Sequence, residues 1–267
     1  MRKIIFLIAI LVFGVAMLFD SCSSDVVADT GGILEFRGGH GNNGNFSGSL
    51  CACIEQNYPY EELSDVEEQA LIKMREEEKL ARDVYIKMYE KWHHKVFNNI
   101  SKSEQKHMDA ILCLINKYEL SDPVGDNDIG EFENNDLQEL YYTLVDVGNQ
   151  SLVSALTVGA TIEDLDIYDL MELSQDVNNQ DILAVFNDLA KGSRNHMRAF
   201  YGQLVNMGES YTPQYISQEL FDSIINSEME RGGSICNGTN SGNRGHKGKK
   251  GKKGRKGGHH GHRGGRR

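Results

Sequence analysis

The chain has 267 residues, 39% hydrophobic and 25% charged, with a formal net charge of −11. Its five cysteines include no CxxC pair, which excludes a rubredoxin- or thioredoxin-like module. The net charge conceals a split: residues 244–267 hold 11 of the 28 Lys and Arg and no acid, leaving 17 bases against 39 acids elsewhere.

Arg2 and Lys3 precede an apolar run from Ile4 to Leu18, too short to span a bilayer comfortably and suited to the core of a signal peptide. Phe19-Asp20-Ser21-Cys22 resembles a bacterial lipoprotein cleavage box. Residues 1–22 are therefore expected to be a lipoprotein-type signal peptide with Cys22 as the lipidated residue; an uncleaved membrane anchor is the alternative. Either way, the rest is expected to be exported and membrane-anchored. Residues 23–62 are rich in Gly, Asn and Ser and read as a flexible linker.

Residues 63–230 carry helical periodicity and suit one domain with a single core. The first helix repeats at Leu71, Met74, Glu78, Ala81, Tyr85, Met88 and Trp92, and Ser64 with Glu67 forms a capping box before it. The second runs through Glu104, His107, Ile111, Leu114 and Tyr118, with Ser101 the expected cap. The third reads Leu152, Leu156, Gly159, Glu163, Asp166, Leu170 and Leu173. The fourth reads Ile182, Phe186, Leu189, Ser193, His196, Phe200 and Leu204. Each series follows one helix face, and each sets polar residues among apolar ones.

Glu78, Glu104, His107, Glu163, Asp166 and His196 thus fall on apolar faces of four helices. An isolated buried carboxylate is costly, so such groups are paired, neutralised or bound to a cation. Four carboxylates and two imidazoles converging together point to metal; a hydrogen-bonded polar core is the bland alternative. Glu104-x-x-His107 is a weak signal alone and gains weight from this setting. Glu76 and Glu77 lie off the seam and are expected to face solvent or pair with Lys73 or Lys79. Tyr85 is expected to pack in the core or hydrogen-bond a ligand. Cys113 is expected to be a buried inert thiol, and a bridge from Cys51 or Cys53 to Cys236 is possible.

Glu78-Lys-Leu-Ala81-Arg82-Asp-Val-Tyr85, Glu104-x-x-His107 and Glu163-x-x-Asp166 resemble the ferritin-like superfamily and its rubrerythrin-type di-iron proteins. Residues 63–207 resemble the DUF2202 family, notably Arg75 to Tyr85 and Gly192-Ser-Arg-Asn-His-Met-Arg-Ala-Phe200. The resemblance implies an all-α, ferritin-like four-helix bundle with short A–B and C–D turns and a long B–C crossover. The spacing agrees, with a short extra helix near Asp136–Val147 in the crossover and about ten residues between the first two helices. One position departs from the superfamily: Ser193 stands where a bridging glutamate is usual, and Glu163 with Asp166 is expected to restore the carboxylate count.

The expected function is redox chemistry on peroxide or oxygen at an iron centre, di-iron by resemblance, with manganese or zinc as alternatives and an external protein as electron donor. Non-catalytic metal binding or buffering is the second reading. The third is a structural bundle whose basic tail, residues 231–267, binds an anionic polymer. That tail is otherwise a disordered, solubilising segment, and its His246, His259, His260 and His262 are a compositional hint of loose metal binding. A homodimer through the bundle is also expected to be possible.

Overall fold

Ser64 sets the first long helix. Its side chain accepts from the Glu67 amide, and Glu67 Oε2 accepts from the Ser64 amide at 2.9 Å, so the predicted capping box forms. In the computed structural model, which describes residues 43–231, every regular element among the described residues is a helix. In chain order these are α1 (Asn43–Asn57), α2 (Asp65–Trp92), α3 (Lys95–Lys117), α4 (Asn135–Gly148), α5 (Leu152–Ser174), α6 (Gln180–Asn206) and α7 (Gln218–Ile225).

The link between α2 and α3 is only His93 and His94. His93 takes the left-handed conformation (φ 51°) that closes α2, and the His94 side chain accepts from the Val96 amide to open α3. The ten-residue turn and the Ser101 cap expected from sequence are thereby corrected. Ser101 lies buried inside α3, because a ring nitrogen does what a Ser or Asp side chain usually does.

Such a short link makes α2 and α3 antiparallel. Glu67 Oε1 accepts from the Asn178 and Asn179 amides, Lys73 pairs with Asp169, and Tyr85 reaches Gly159, so α2 also runs against α5. Tyr118 donates to Asp181 while Phe97 packs on Phe200, which sets α3 against α6. Consequently α3 and α5 point the same way. The chain between them must travel the length of a 23-residue helix, about 35 Å, and residues 118–151 with α4 do so. The expected long crossover and extra helix are both present.

The crossover is fastened by buried charge. Arg75 donates through Nε and Nη2 to Asp122 at 2.9 Å each, and through Nη1 to the Met108 carbonyl. Lys79 pairs with Asp83, and Asp83 also accepts from the Gly130 amide. At the end of α4, Trp92 donates to the Gly148 carbonyl, and a Cβ at Gly148 would lie 2.4 Å from Met88 Sδ, so a larger residue there would require the thioether to shift.

Two apolar layers fill the bundle. One gathers Leu71, Met74, Ile111, Leu114, Ile182 and Phe186. The other stacks Tyr85, Phe97 and Phe200. On α2 the stretch from Met74 to Tyr85 joins them, and the polar seam residues lie between.

Helix α1 falls inside the segment expected to be linker. It packs on α3 through buried Ile54, and Cys51 is bonded to Cys113 with Cα atoms 5.0 Å apart. The reading of Cys113 as an inert thiol is corrected accordingly; α1 lacks apolar periodicity and gains its place from this crosslink. Helix α7 was not anticipated; it docks on α6 through Phe221 and Ile224. The apolar run 4–18, Cys22, Cys236 and the basic tail lie outside the described residues. Among the described residues no helix is long and apolar enough to cross a membrane.

Candidate metal centre

Each long helix delivers its polar seam residues to one level of the bundle. Glu78 comes from α2, Glu104 and His107 from successive turns of α3, Glu163 from α5 and His196 from α6. Glu78, Glu104 and Glu163 are each 2% exposed.

Glu104 is central. Its Oε2 lies 2.8 Å from His107 Nδ1, which is itself 3.1 Å from Glu78 Oε2. Its Oε1 lies 2.9 Å from His196 Nδ1, which is 3.4 Å from Glu163 Oε2. The residues thus divide into two groups, Glu78–Glu104–His107 and Glu104–Glu163–His196, in each of which the ligand atoms lie within 4.8 Å of one another. The two imidazoles stack with ring centroids 5.6 Å apart. One carboxylate is therefore shared between two triads, the arrangement a bridging ligand requires.

Hydrogen bonding is incomplete here. Glu104 Oε1 and His196 Nδ1 are close, yet neither makes a hydrogen bond, with the other or with any other group; Glu78 Oε1 is also buried and unsatisfied. Buried polar atoms are nearly always satisfied. Donor atoms crowded together with incomplete hydrogen bonding fit a cation held among them, and an oxygen and nitrogen donor set suits iron, manganese or zinc.

Electrostatics say the same. Burial pushes Glu78 up to about 7, against the pull of His107, with Glu104 adding to the rise. Burial opposes charge on His196, yet Glu104 and Glu163 hold it up at about 10. His107 is likewise raised against burial by Glu78 and Glu104. Burial works to raise Glu104, but the two imidazoles hold it well below the ordinary range. Without metal, the cluster balances itself by protonating its histidines.

Asp166 belongs to neither triad. It is partly buried and hydrogen-bonded to Ser193, which also donates to the Leu189 carbonyl at 3.0 Å. Burial and the charges of Glu78 and Glu163 hold Asp166 well above the carboxylate range. One hydroxyl proton cannot serve both Asp166 and Leu189; a proton on Asp166 lets both bonds form. The side chain at the departing position thus holds the extra acid of α5.

Other expectations change. Glu76 is buried, not solvent-facing, and accepts from the amide of Asn134, the cap of α4. For Glu77 the expected pairing with Lys73 forms, on a side chain that is largely buried; burial pushes it up to about 8, Lys73 opposing and Asp169 and Asp166 adding. Tyr85 both packs in the aromatic layer and donates to Glu163 Oε1 at 2.5 Å. Its place on the seam two turns after Glu78 was the available signal. Gly192 carried no such signal. A Cβ there would lie 2.5 Å from His107 Cε1 and Nε2, so the α6 backbone forms the wall behind that imidazole.

The geometry can be set beside known proteins. The family model described as an uncharacterized protein domain, DUF2202, matches residues 67–228. An uncharacterized protein of Methanocaldococcus jannaschii is 54% identical over 174 residues, which cover 65% of this chain and 94% of that protein. The crystal structure of a hypothetical protein from Methanococcus jannaschii DSM 2661 superposes with a TM-score of 0.64 at 53% identity, covering 64% of this chain and 98% of that one.

Proposed function

The chain belongs to the DUF2202 family, and we propose that its bundle core is a ferritin-like, non-haem dinuclear metal site whose favoured occupant is iron. The observation that carries this reading is the shared Glu104, each of whose oxygens faces a different histidine. Glu78 with His107 and Glu163 with His196 would complete the two ligand sets. The three carboxylates Glu78, Glu104 and Glu163 offset much of the charge of two divalent ions.

Bound iron would supply one-electron steps to an oxidant such as peroxide or dioxygen. The protein's own part is positional. Tyr85 fixes Glu163 by donating to Oε1, leaving Oε2 toward His196. The Tyr85–Phe97–Phe200 layer covers one side of the seam and keeps water out, which strengthens every charge interaction inside. Electrons must come from another protein, since the sequence has no CxxC module.

Anaerobic loading of the purified protein with ferrous iron, followed by elemental analysis and an assay of peroxide consumption, tests the proposal. Two bound ions and turnover are expected. Absence of bound metal would end the metal reading, whereas binding without turnover would leave a buffering role. Export with a lipid on Cys22 is part of the proposal; the Cys51–Cys113 bond, of a kind that persists in oxidising compartments, supports it. Cys22→Ser should release the protein from membranes, and retention at unchanged mass would instead favour an uncleaved anchor.

A further inference from the structure

Outside the two triads, one more group of buried carboxylates lies across the contact of α2 with α5. Lys73 Nζ is 3.2 Å from Glu77 Oε1 on its own helix and 2.9 Å from Asp169 Oδ1 on α5. The Lys73 side chain is 29% exposed, those of Glu77 and Asp169 only 11% and 10%. The group therefore starts at the surface and runs inward. Glu77 Oε2 and Asp169 Oδ2 are buried and accept no hydrogen bond.

Asp166 stands one turn from Asp169 on the same face of α5. It interacts electrostatically with Glu77 on one side and with Glu78, Glu163 and Glu104 on the other. Carboxyl groups thus continue from Lys73 to the shared Glu104. A structural ion pair would satisfy its carboxylates, as Asp122 is satisfied by Arg75. Here one ammonium serves two acids and leaves two buried oxygens over.

We propose that Glu77, Asp169 and Asp166 line the path by which a divalent cation enters the bundle, with Lys73 as a tethered cation that occupies its mouth. The inference rests on the metal reading of the triads. Lys73 is suited to the task because its ammonium is shared between two acids and stays partly open to water, while an incoming divalent ion brings those carboxylates twice the charge in its place. The lysine stem keeps the ammonium tethered nearby to return when the ion has moved on. Carboxylates placed in succession raise the local cation concentration and hand the ion inward without a fully desolvated step.

Stopped-flow loading of the metal-free, full-length protein with cobalt(II), followed by its visible absorption, tests the path. Asp169→Asn should slow loading by on the order of tenfold and weaken its dependence on salt, the low end of the effect expected of a charged cleft. Lys73→Met keeps the apolar stem, removes the competitor and should speed loading. Both variants should reach the wild-type cobalt content, and Asp169→Glu should load at the wild-type rate. Wild-type rates in both Asp169→Asn and Lys73→Met would overturn the path while leaving the triads intact. A lowered final content in Asp169→Asn would also overturn it, by placing Asp169 in the binding site. Failure of the wild-type protein to take up cobalt would be a different result, ending the metal reading and the path with it.

Discussion

Glu163 and Asp164 are neighbours on α5, and both are buried, but they belong to two different kinds of polar interior. Asp164 accepts from the Tyr211 hydroxyl at 2.8 Å and from the amides of Gln214, Tyr215 and Ile216, so it fastens the segment after α6. Asp83 is similar, with Lys79, Arg82 and the Gly130 amide as donors. Around Glu163 the accounting fails: Glu78 Oε1, Glu104 Oε1 and His196 Nδ1 have no partner. Burial does not distinguish these regions, because the carboxylates of both are almost wholly enclosed. Completeness of hydrogen bonding does, since an unsatisfied buried acceptor persists only where something compensates it.

The sharpest way to break this comparison is to remove the shared carboxylate. Glu104→Ala should abolish binding of both ions by elemental analysis, because each triad loses a ligand at once. Glu76→Ala should retain both, since Glu76 is spent on the Asn134 amide. Equal retention by the two variants would mean that the open seam is not the site.

The satisfied region should respond in stability instead. Asp83→Ala leaves Lys79, which is 1% exposed, without its carboxylate. Stranding a buried charge costs about 3–5 kcal/mol, a large share of the roughly 5–15 kcal/mol that holds a domain together. Urea unfolding should show that loss, with metal content per folded molecule unchanged. Metal loss at full stability would dissolve the distinction.

Much of this was legible in the sequence, for a physical reason. Polar residues at i, i+3, i+4 and i+7 among apolar ones have to face the core, so Glu78, Glu104, His107, Glu163 and His196 follow from periodicity. Ser64 with Glu67 was legible because a capping box is local. The α2–α3 turn was not, because His93 and His94 carry no usual turn or cap chemistry. Nor was α1, whose position depends on a bond to Cys113 across 62 residues. The exact fate of Asp166 was hidden for a related reason: its partner Ser193 comes from another helix, and an i, i+3 spacing cannot say which of two acids reaches the centre.

The two regions should also differ in their response to pH when the protein is stripped of metal. Glu77 and Glu78 are raised from 4.5 to about 8 and about 7, and His196 from 6.5 to about 10. All three hold protons in the folded state that the unfolded chain has released. Folding stability must therefore fall as pH rises from the ordinary carboxyl range through about 8, and continue to fall while His196 titrates. Metal should reverse the trend, because it takes the place of those protons and binds better as they leave. Thermal unfolding of metal-free and loaded protein at pH 5 and pH 8 checks both signs. A metal-free protein that gained stability toward pH 8 would contradict the assignment.

The smallest expected effect separates the two triads from each other. Alanine in place of a mid-helix glycine ordinarily stabilises by roughly 0.5–1 kcal/mol, so glycine at position 192 of α6 calls for a reason. That reason is the His107 ring, whose Cε1 and Nε2 would lie 2.5 Å from an added Cβ. The ring cannot simply slide aside, because His196 is stacked on it and Nδ1 must stay near Glu78 and Glu104. Gly192→Ala should turn His107 away from Glu78 while leaving the Glu104–Glu163–His196 contacts in place. Loss of an orienting contact typically lowers metal affinity by about 10–100-fold. Cobalt titration should then resolve one tight and one weakened ion where the wild-type protein binds both tightly. Equal weakening of both would mean that the stacked imidazoles move as one body and that the triads are not independent sites.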